Sequence, residues 1–173
     1  GFIRKTLGDK KCDVVIGYAQ GHELVLNTNH YYTSAYVLVA ASDGPLAEVT
    51  RLDDPALRGK RLGIVAGTPP ATHLARNGLI GKARPYQLVH DTRHDSPSAQ
   101  MIADLVAGEI HAAVLWGPIG GWLAEQADAE LTVKPLIHEE TPPRLFYRIT
   151  MGVRQGELQW KRELNSLIRL NQD

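Results

Sequence analysis

Asp104–Ala124 reads DLVAGEIHAAVLWGPIGGWLA, and this stretch decides the fold class. Met101, Ile102, Leu105 and Val106 recur at helical spacing, and Gly108 stands where a left-handed residue closes a helix. Ala112 to Trp116 is a short continuous apolar run, the pattern of a strand buried on both faces of a parallel sheet. Gly117-Pro118 then restarts a helix, since proline suits a first helical turn. Strand-to-helix junctions in open α/β sheets lie at the carboxyl ends of the strands, where ligands bind. Trp116 therefore points to a candidate cleft. The competing reading makes Trp116 and Trp122 core residues, because large aromatics are usually well buried.

The same alternation extends along the chain. A helix running to about Leu7 leads into the β-type run Val14–Gly17, and Tyr36–Ala41 is a second apolar run, stopped by Ser42-Asp43-Gly44-Pro45. Leu62–Ala66 predicts a third strand. Gly67-Thr68-Pro69-Pro70 opens a helix with Leu74 and Ala75 on its apolar face and Asn77-Gly78 at its stop. Tyr86–Val89 reads as strand, and Asp95-Ser96-Pro97 pairs a cap with proline at the first helical position. Leu131–Ile137 predicts another strand. Leu145–Val153 alternates, with Leu145, Tyr147, Ile149, Met151 and Val153 on one face and Arg148, Thr150 and Arg154 on the other. Trp160, Leu164, Leu167 and Ile168 give a closing helix one apolar stripe. The pattern implies a mostly parallel sheet with right-handed connections, and candidate crossing points between two lobes at Ser42–Leu46 and Glu139–Arg144.

Composition excludes several classes of function. Lys+Arg and Asp+Glu both number 19, so no basic field exists to hold nucleic acid. No apolar run reaches the roughly 18 residues needed to span a bilayer. Gly1–Leu7 already reads as the middle of a helix without a cap, as expected of a fragment. The single cysteine, Cys12, forbids an intrachain disulfide and a cysteine-rich zinc site. It reads as a small buried residue or, alternatively, as the partner of a cysteine in a segment preceding Gly1. There is no G-x-S-x-G elbow, no H-E-x-x-H and no phosphate-binding loop. His138-Glu139-Glu140 lacks the histidine spacing of a metalloprotease. His90-Asp91 and His94-Asp95 offer metal-ligand types, although the helix start at Asp95-Ser96-Pro97 accounts for part of that pattern. His30-Tyr31-Tyr32 lines a cleft or packs in the sheet. Gly120-Gly121 lacks the rest of a dinucleotide fingerprint and reads as close helix packing.

Four blocks together resemble a known family: Cys12-Asp13-Val14-Val15-Ile16-Gly17 followed by Tyr31-Tyr32, LRGKRLGIVAGTPP at 57–70, Met101–Ala124, and ITMGVRQGELQWKRELNSLI at 149–168. In this order they resemble family-3 periplasmic solute-binding proteins. Within that family, Gly67-Thr68-Pro69-Pro70-Ala71, Leu74–Gly78, Trp116-Gly117-Pro118 and Met151-Gly152-Val153-Arg154 are similar to the MxaJ/XoxJ-type accessory proteins of quinoprotein methanol dehydrogenases. The resemblance implies an α/β fold of the type II periplasmic binding-protein kind, two lobes joined by crossing strands. Residues 1–43 would form part of lobe 1, 44–143 lobe 2, and 144–173 the return to lobe 1. The first βαβ unit of lobe 1 would precede Gly1, leaving apolar surface for a crystal mate or second copy to cover.

The resemblance further implies a periplasmic, non-enzymatic protein with no cofactor or metal of its own. Its partner would be the methanol dehydrogenase, which carries PQQ and a metal, and the associated cytochrome c. Two departures from amino-acid receptors fit this reading. Where those receptors place an arginine in a Thr-x-x-Arg pattern, this chain has Gly21-His22-Glu23-Leu24-Val25, so a ligand carboxylate has no bidentate partner. Pro69 and Pro70 also lack the N–H groups that hold an anion at a helix start. The expected partner-binding residues are Tyr18, Tyr31, Tyr32, Thr68, Pro69, Trp116 and Pro118, all at strand ends or helix starts facing an inter-lobe cleft. A solute receptor of an ABC importer, for a ligand other than a free amino acid, is the alternative. An enzyme such as a prephenate- or arogenate-type dehydratase is the third reading, disfavoured because it too needs carboxylate clamps.

Overall fold

A computed structural model describes residues 1–21, 23–88 and 96–172 of the chain. After a π-helical turn at Arg4–Gly8 come β1 (Val15–Ala19), β2 (Leu26–Asn27) and β3 (Tyr32–Ala41). Next are β4 (Leu62–Val65), α1 (Pro69–Arg76), β5 (Arg84–Tyr86), α2 (Pro97–Val106), β6 (Ala112–Trp116) and α3 (Gly117–Glu125). The chain ends with β7 (Leu131–Pro135), β8 (Phe146–Val153) and α4 (Leu158–Leu170). Two compact units result, one from residues 1–34 and 147–173, the other from 35–146. The chain passes between them inside β3 and β8, rather than in the turns at Ser42–Leu46 and Glu139–Arg144.

The larger unit is built around β6. Its neighbours are β3, antiparallel with Tyr36 opposite Trp116, and β4, parallel with Leu62 opposite Ala112. β7 adds to β3 and β5 to β4, which completes a mixed sheet. Alternation along the strands sends Leu38, Ala40, Leu62, Ile64, Ala112 and Val114 to the face that α1 covers through Leu74. Val37, Val39, Ala113 and Leu115 face the other way, against Met101, Ile102 and Leu105 of α2 and Ala124 of α3. Both faces are buried, as the unbroken apolar run in β6 predicts. Helix ends follow the residues expected of them. Ser96 caps α2 by accepting from the Ala99 N–H, and Gly108 takes φ +75° just beyond its C-terminus.

In the smaller unit β1 and β2 pair antiparallel with β8, and Arg154 just beyond β8 gathers the surrounding segments. Its guanidinium donates to Leu7 O (3.2 Å), Cys12 O (2.7 Å) and Asp13 Oδ1 (2.7 Å), while Nε donates to Glu157 (2.6 Å). Cys12 packs beside Ile3, Leu7 and Val25 as a free thiol.

Several expectations need correction. The sheet is not mostly parallel. Among the described pairings β4–β5 and β4–β6 are parallel, whereas β3 runs against β6 and β7, and β1 and β2 run against β8. Helical spacing reveals crossovers such as α1 and α2, but not which strands come to lie side by side. Trp122 is not core, being 61% exposed on α3. Thr150 is fully buried, although it lies on the polar face of β8. Its hydroxyl donates to Tyr18 O and accepts from Asn27 Nδ2, which satisfies it there. β5 begins at Arg84, two positions before the predicted run, and Val89, His90, Asp91, His94 and Asp95 lie outside the described residues.

Gly120 and Gly121 differ as the packing reading requires of only one of them. A Cβ at Gly120 would lie 2.8 Å from Val37 Cγ2 and 3.1 Å from Leu115 Cγ, whereas one at Gly121 meets nothing within 4 Å. Gly121→Ala should therefore raise stability by about 0.5–1 kcal/mol, and Gly120→Val should lower it by about 1–3 kcal/mol, both measured by urea denaturation.

α2 also carries a buried carboxylate, Asp104. It accepts from the Tyr86 hydroxyl (2.5 Å) and Gln100 Nε2 (2.9 Å), with Arg84 Nη2 at 3.0 Å. The Tyr86 hydrogen bond, and then Gln100 and Arg84, hold the Asp104 carboxyl below its ordinary value against the opposing cost of burial. Burial, and then the carboxylate itself, push the Tyr86 hydroxyl well above its ordinary range. A carboxylate held low contributes stability that is present above its unfolded value, about pH 4, and is lost as pH falls through the folded value. Tyr86→Phe should cost about 1–3 kcal/mol at neutral pH, and its difference from the parent should shrink below about pH 4 in urea titrations repeated across pH.

Candidate functional site

The parallel pair β4 and β6 brings two strand-to-helix junctions to one end of the larger unit. β6 ends at Trp116, which is the N-cap of α3 and half-buried; Pro118 follows in the first turn, exposed. β4 leads through Gly67, at φ +78°, to Thr68, the N-cap of α1, with Pro69 and Pro70 opening the helix. Trp116 follows Ala112 and Val114 on the face that α1 covers. There its ring meets Tyr36 edge-on, with centroids 5.4 Å apart. Antiparallel pairing sets Tyr36 directly opposite Trp116. The sequence reading missed Tyr36, because a register cannot be read from an apolar run alone.

This end is poor in anion donors. Thr68 Oγ1 turns back to donate to Val65 O (2.6 Å) and makes no capping bond to the helix. Pro69 and Pro70 have no N–H, and the Ala71 N–H is already given to Thr68 O at 3.0 Å. The first turn of α1 thus has little left for a carboxylate. Glu23 is exposed, and its carbonyl accepts from Gln155 Nε2; His22 lies outside the described residues.

In the smaller unit the three tyrosines named from sequence gather near β1. The Gly17 N–H donates to the Tyr31 hydroxyl at 3.0 Å, beside Tyr18, and Tyr31 packs edge-on against Tyr32 with centroids 5.0 Å apart. Gly17 has φ +74°, and the β1–β8 register shifts between Val15 and Tyr18. That bulge lets the Tyr31 hydroxyl reach the backbone. Tyr18 also lines an apolar hollow of about 450 Å³ with Phe2, Ile3 and Leu24. His30 is exposed.

The structure thus assembles Thr68, Pro69, Trp116 and Pro118 in one unit and Tyr18, Tyr31 and Tyr32 in the other. α3 adds two residues that the sequence reading did not assign to a surface, Ile119, 45% exposed, and Trp122. Among the described residues no group of three or more His, Cys, Asp or Glu side chains is placed to hold a metal, and no helix is long and apolar enough to cross a membrane. The paired His-Asp motif at 90–95 lies outside the described residues. One buried histidine carries no sequence signal. His73 on α1 is 1% exposed and donates from Nε2 to Pro143 O (2.7 Å), with Nδ1 3.6 Å from Glu139. It fastens α1 to the segment ahead of β8 and belongs to the framework.

Neither a family model nor a curated protein sequence matches the chain. Among solved structures, it is similar to the periplasmic binding protein XoxJ from Methylobacterium extorquens AM1, at 45% identity over 91% of this chain and 67% of that one, TM-score 0.75. It is also similar to MxaJ from Methlophaga aminisulfidivorans MPT, at 19% identity over 97% of this chain and 73% of that one, TM-score 0.82. An ancestral arginine-binding protein bound to glutamine shares the fold at 16% identity and TM-score 0.63, over 97% of this chain and 68% of that one. This chain spans about two thirds of the XoxJ structure it matches.

Free amino acids and dicarboxylates should show no binding by isothermal titration, because neither an arginine near Glu23 nor open N–H groups at Pro69-Pro70 meet a carboxylate. Micromolar binding of any member of such a panel would remove the argument from the depleted clamp.

Proposed function

The chain belongs to the MxaJ/XoxJ-type periplasmic binding proteins, and from that premise we propose that it is a non-enzymatic accessory protein of a PQQ-dependent methanol dehydrogenase. It acts in the periplasm and assists maturation or activation of the enzyme by binding a segment of it. The observation that carries this reading is the 45% identity to XoxJ over 91% of the chain. Local chemistry supports a protein rather than a small charged ligand. The α1 start offers few anion donors, while the junctions present aromatic and proline side chains: Trp116 against Tyr36, Pro69 and Pro118 in one unit, and Tyr18, Tyr31 and Tyr32 in the other. Rigid aromatics dominate interface hot spots, and proline-lined surfaces suit extended or helical segments. The dehydrogenase brings the PQQ and the metal, and its cytochrome c is a further candidate partner.

The reading is tested by affinity capture of the dehydrogenase on the immobilised full protein, with Trp116→Ala as comparison. Loss of a central tryptophan should weaken capture by about 30-fold, the effect of roughly 2 kcal/mol, while circular dichroism stays unchanged. Wild-type capture and activation by a folded Trp116→Ala protein would show that this junction is not the working surface.

A further inference from the structure

The opposite end of the larger unit carries a separate cavity. Because β4 and β6 run parallel and β3 runs against β6, the end of β3 and the starts of β4 and β6 share one edge, away from Thr68 and Trp116. At that edge lies a cavity of about 210 Å³ with Ala41, Leu46, Leu105 and Ile110 among its walls and Lys60 and His111 as its polar groups. Leu46, Leu105 and Ile110 are buried, so the floor is hydrocarbon. The volume lies below the roughly 300 Å³ at which drug-sized sites begin, so only a small body fits.

Its polar side chains offer donors. Lys60 is half-buried, yet its ammonium forms no hydrogen bond or ion pair with any described residue. The neighbouring Arg61 is already engaged, donating to Glu109 O at 2.8 Å with the Glu109 carboxylate 4.0 Å away. His111 Nδ1 accepts from the Arg61 N–H at 3.0 Å, which leaves the proton of the neutral ring on Nε2 as a donor. Two carbonyls near the end of α2 are occupied. Asp104 O accepts from Glu109 and Ile110, and Leu105 O accepts from Gly108. The hollow therefore holds a half-buried cation that has no counter-ion among the described residues, over an apolar floor.

We propose that this cavity binds a small monocarboxylate with a short aliphatic body, its carboxylate on Lys60 and its chain against Leu46, Leu105 and Ile110. A charge-assisted hydrogen bond at the rim and hydrocarbon contact within supply the two parts of the recognition. The site is independent of the dehydrogenase-binding surface and stands or falls separately from it.

Titration of the full protein with sodium hexanoate, 1-hexanol and hexylamine, followed by calorimetry and by ligand-observed NMR, tests the assignment. Hexanoate should bind saturably, hexanol more weakly, and hexylamine not at all. Lys60→Met, which breaks no hydrogen bond or ion pair among the described residues, should weaken hexanoate by about tenfold or more and leave hexanol unchanged. Ala41→Leu, at an exposed position on the wall, should fill the cavity and abolish binding of both. Absence of saturable hexanoate binding at millimolar concentrations, or equal hexanoate affinity in the parent and Lys60→Met, would overturn the proposal.

Discussion

Burial of β6 on both faces is the constraint on which the larger unit depends. Ala112, Ala113, Val114 and Leu115 are all sealed from water, with even-numbered residues under α1 and odd-numbered residues under α2 and α3. A strand so placed cannot slip by one residue without exchanging its two core faces. Its register with β3 and β4 is therefore fixed, and so is the place where it ends. That end is Trp116. The position of the aromatic junction, the start of α3 and the opposition of Tyr36 to Trp116 all follow from one buried pentapeptide. Gly120 continues the same constraint into α3, where lack of a side chain lets the helix lie against Val37 and Leu115.

The smaller unit is organised by charge instead. Its apolar core is modest, centred on Ile3, Leu7 and Val25. Arg154 compensates by satisfying carbonyls at Leu7 and Cys12 and carboxylates at Asp13 and Glu157, so three chain segments meet at one guanidinium. A planar group with five donors suits that task in a way an ammonium does not. Asp13 and Glu157 hold the Arg154 guanidinium still further above its ordinary range. Exposed Phe2, Ile16 and Leu24 in the same unit show how little of its apolar surface is covered.

The candidate site is defined as much by what it withholds as by what it presents. An anion needs free N–H groups or a cationic side chain, and the start of α1 has prolines at two of the positions that would donate. At that end of the larger unit, what remains is aromatic edge and proline ring. Such a surface has little hold on a small charged solute and more on a polypeptide with its own apolar side chains. The similarity to XoxJ shows the family, and the chemistry of the junctions is what supports the proposed polypeptide partner.

Much of this was legible in the sequence, for a physical reason. Patterns set by local rules survive without tertiary context. Pro69, Pro97 and Pro118 mark helix starts, Gly78 and Gly108 mark helix stops, and the run Ala112–Trp116 announces a strand covered on both sides. The aromatic and proline residues of the candidate site were legible for the same reason, since they sit at those punctuation points. What the sequence could not determine depends on partners far along the chain. The antiparallel course of β3, the meeting of Tyr36 with Trp116, the exposure of Trp122, the burial of Thr150 and the bond from His73 to Pro143 all require knowing which distant segment lies opposite. Local propensity settles where elements begin and end. Only packing, which satisfies each buried polar group and fills each face at once, decides what they touch.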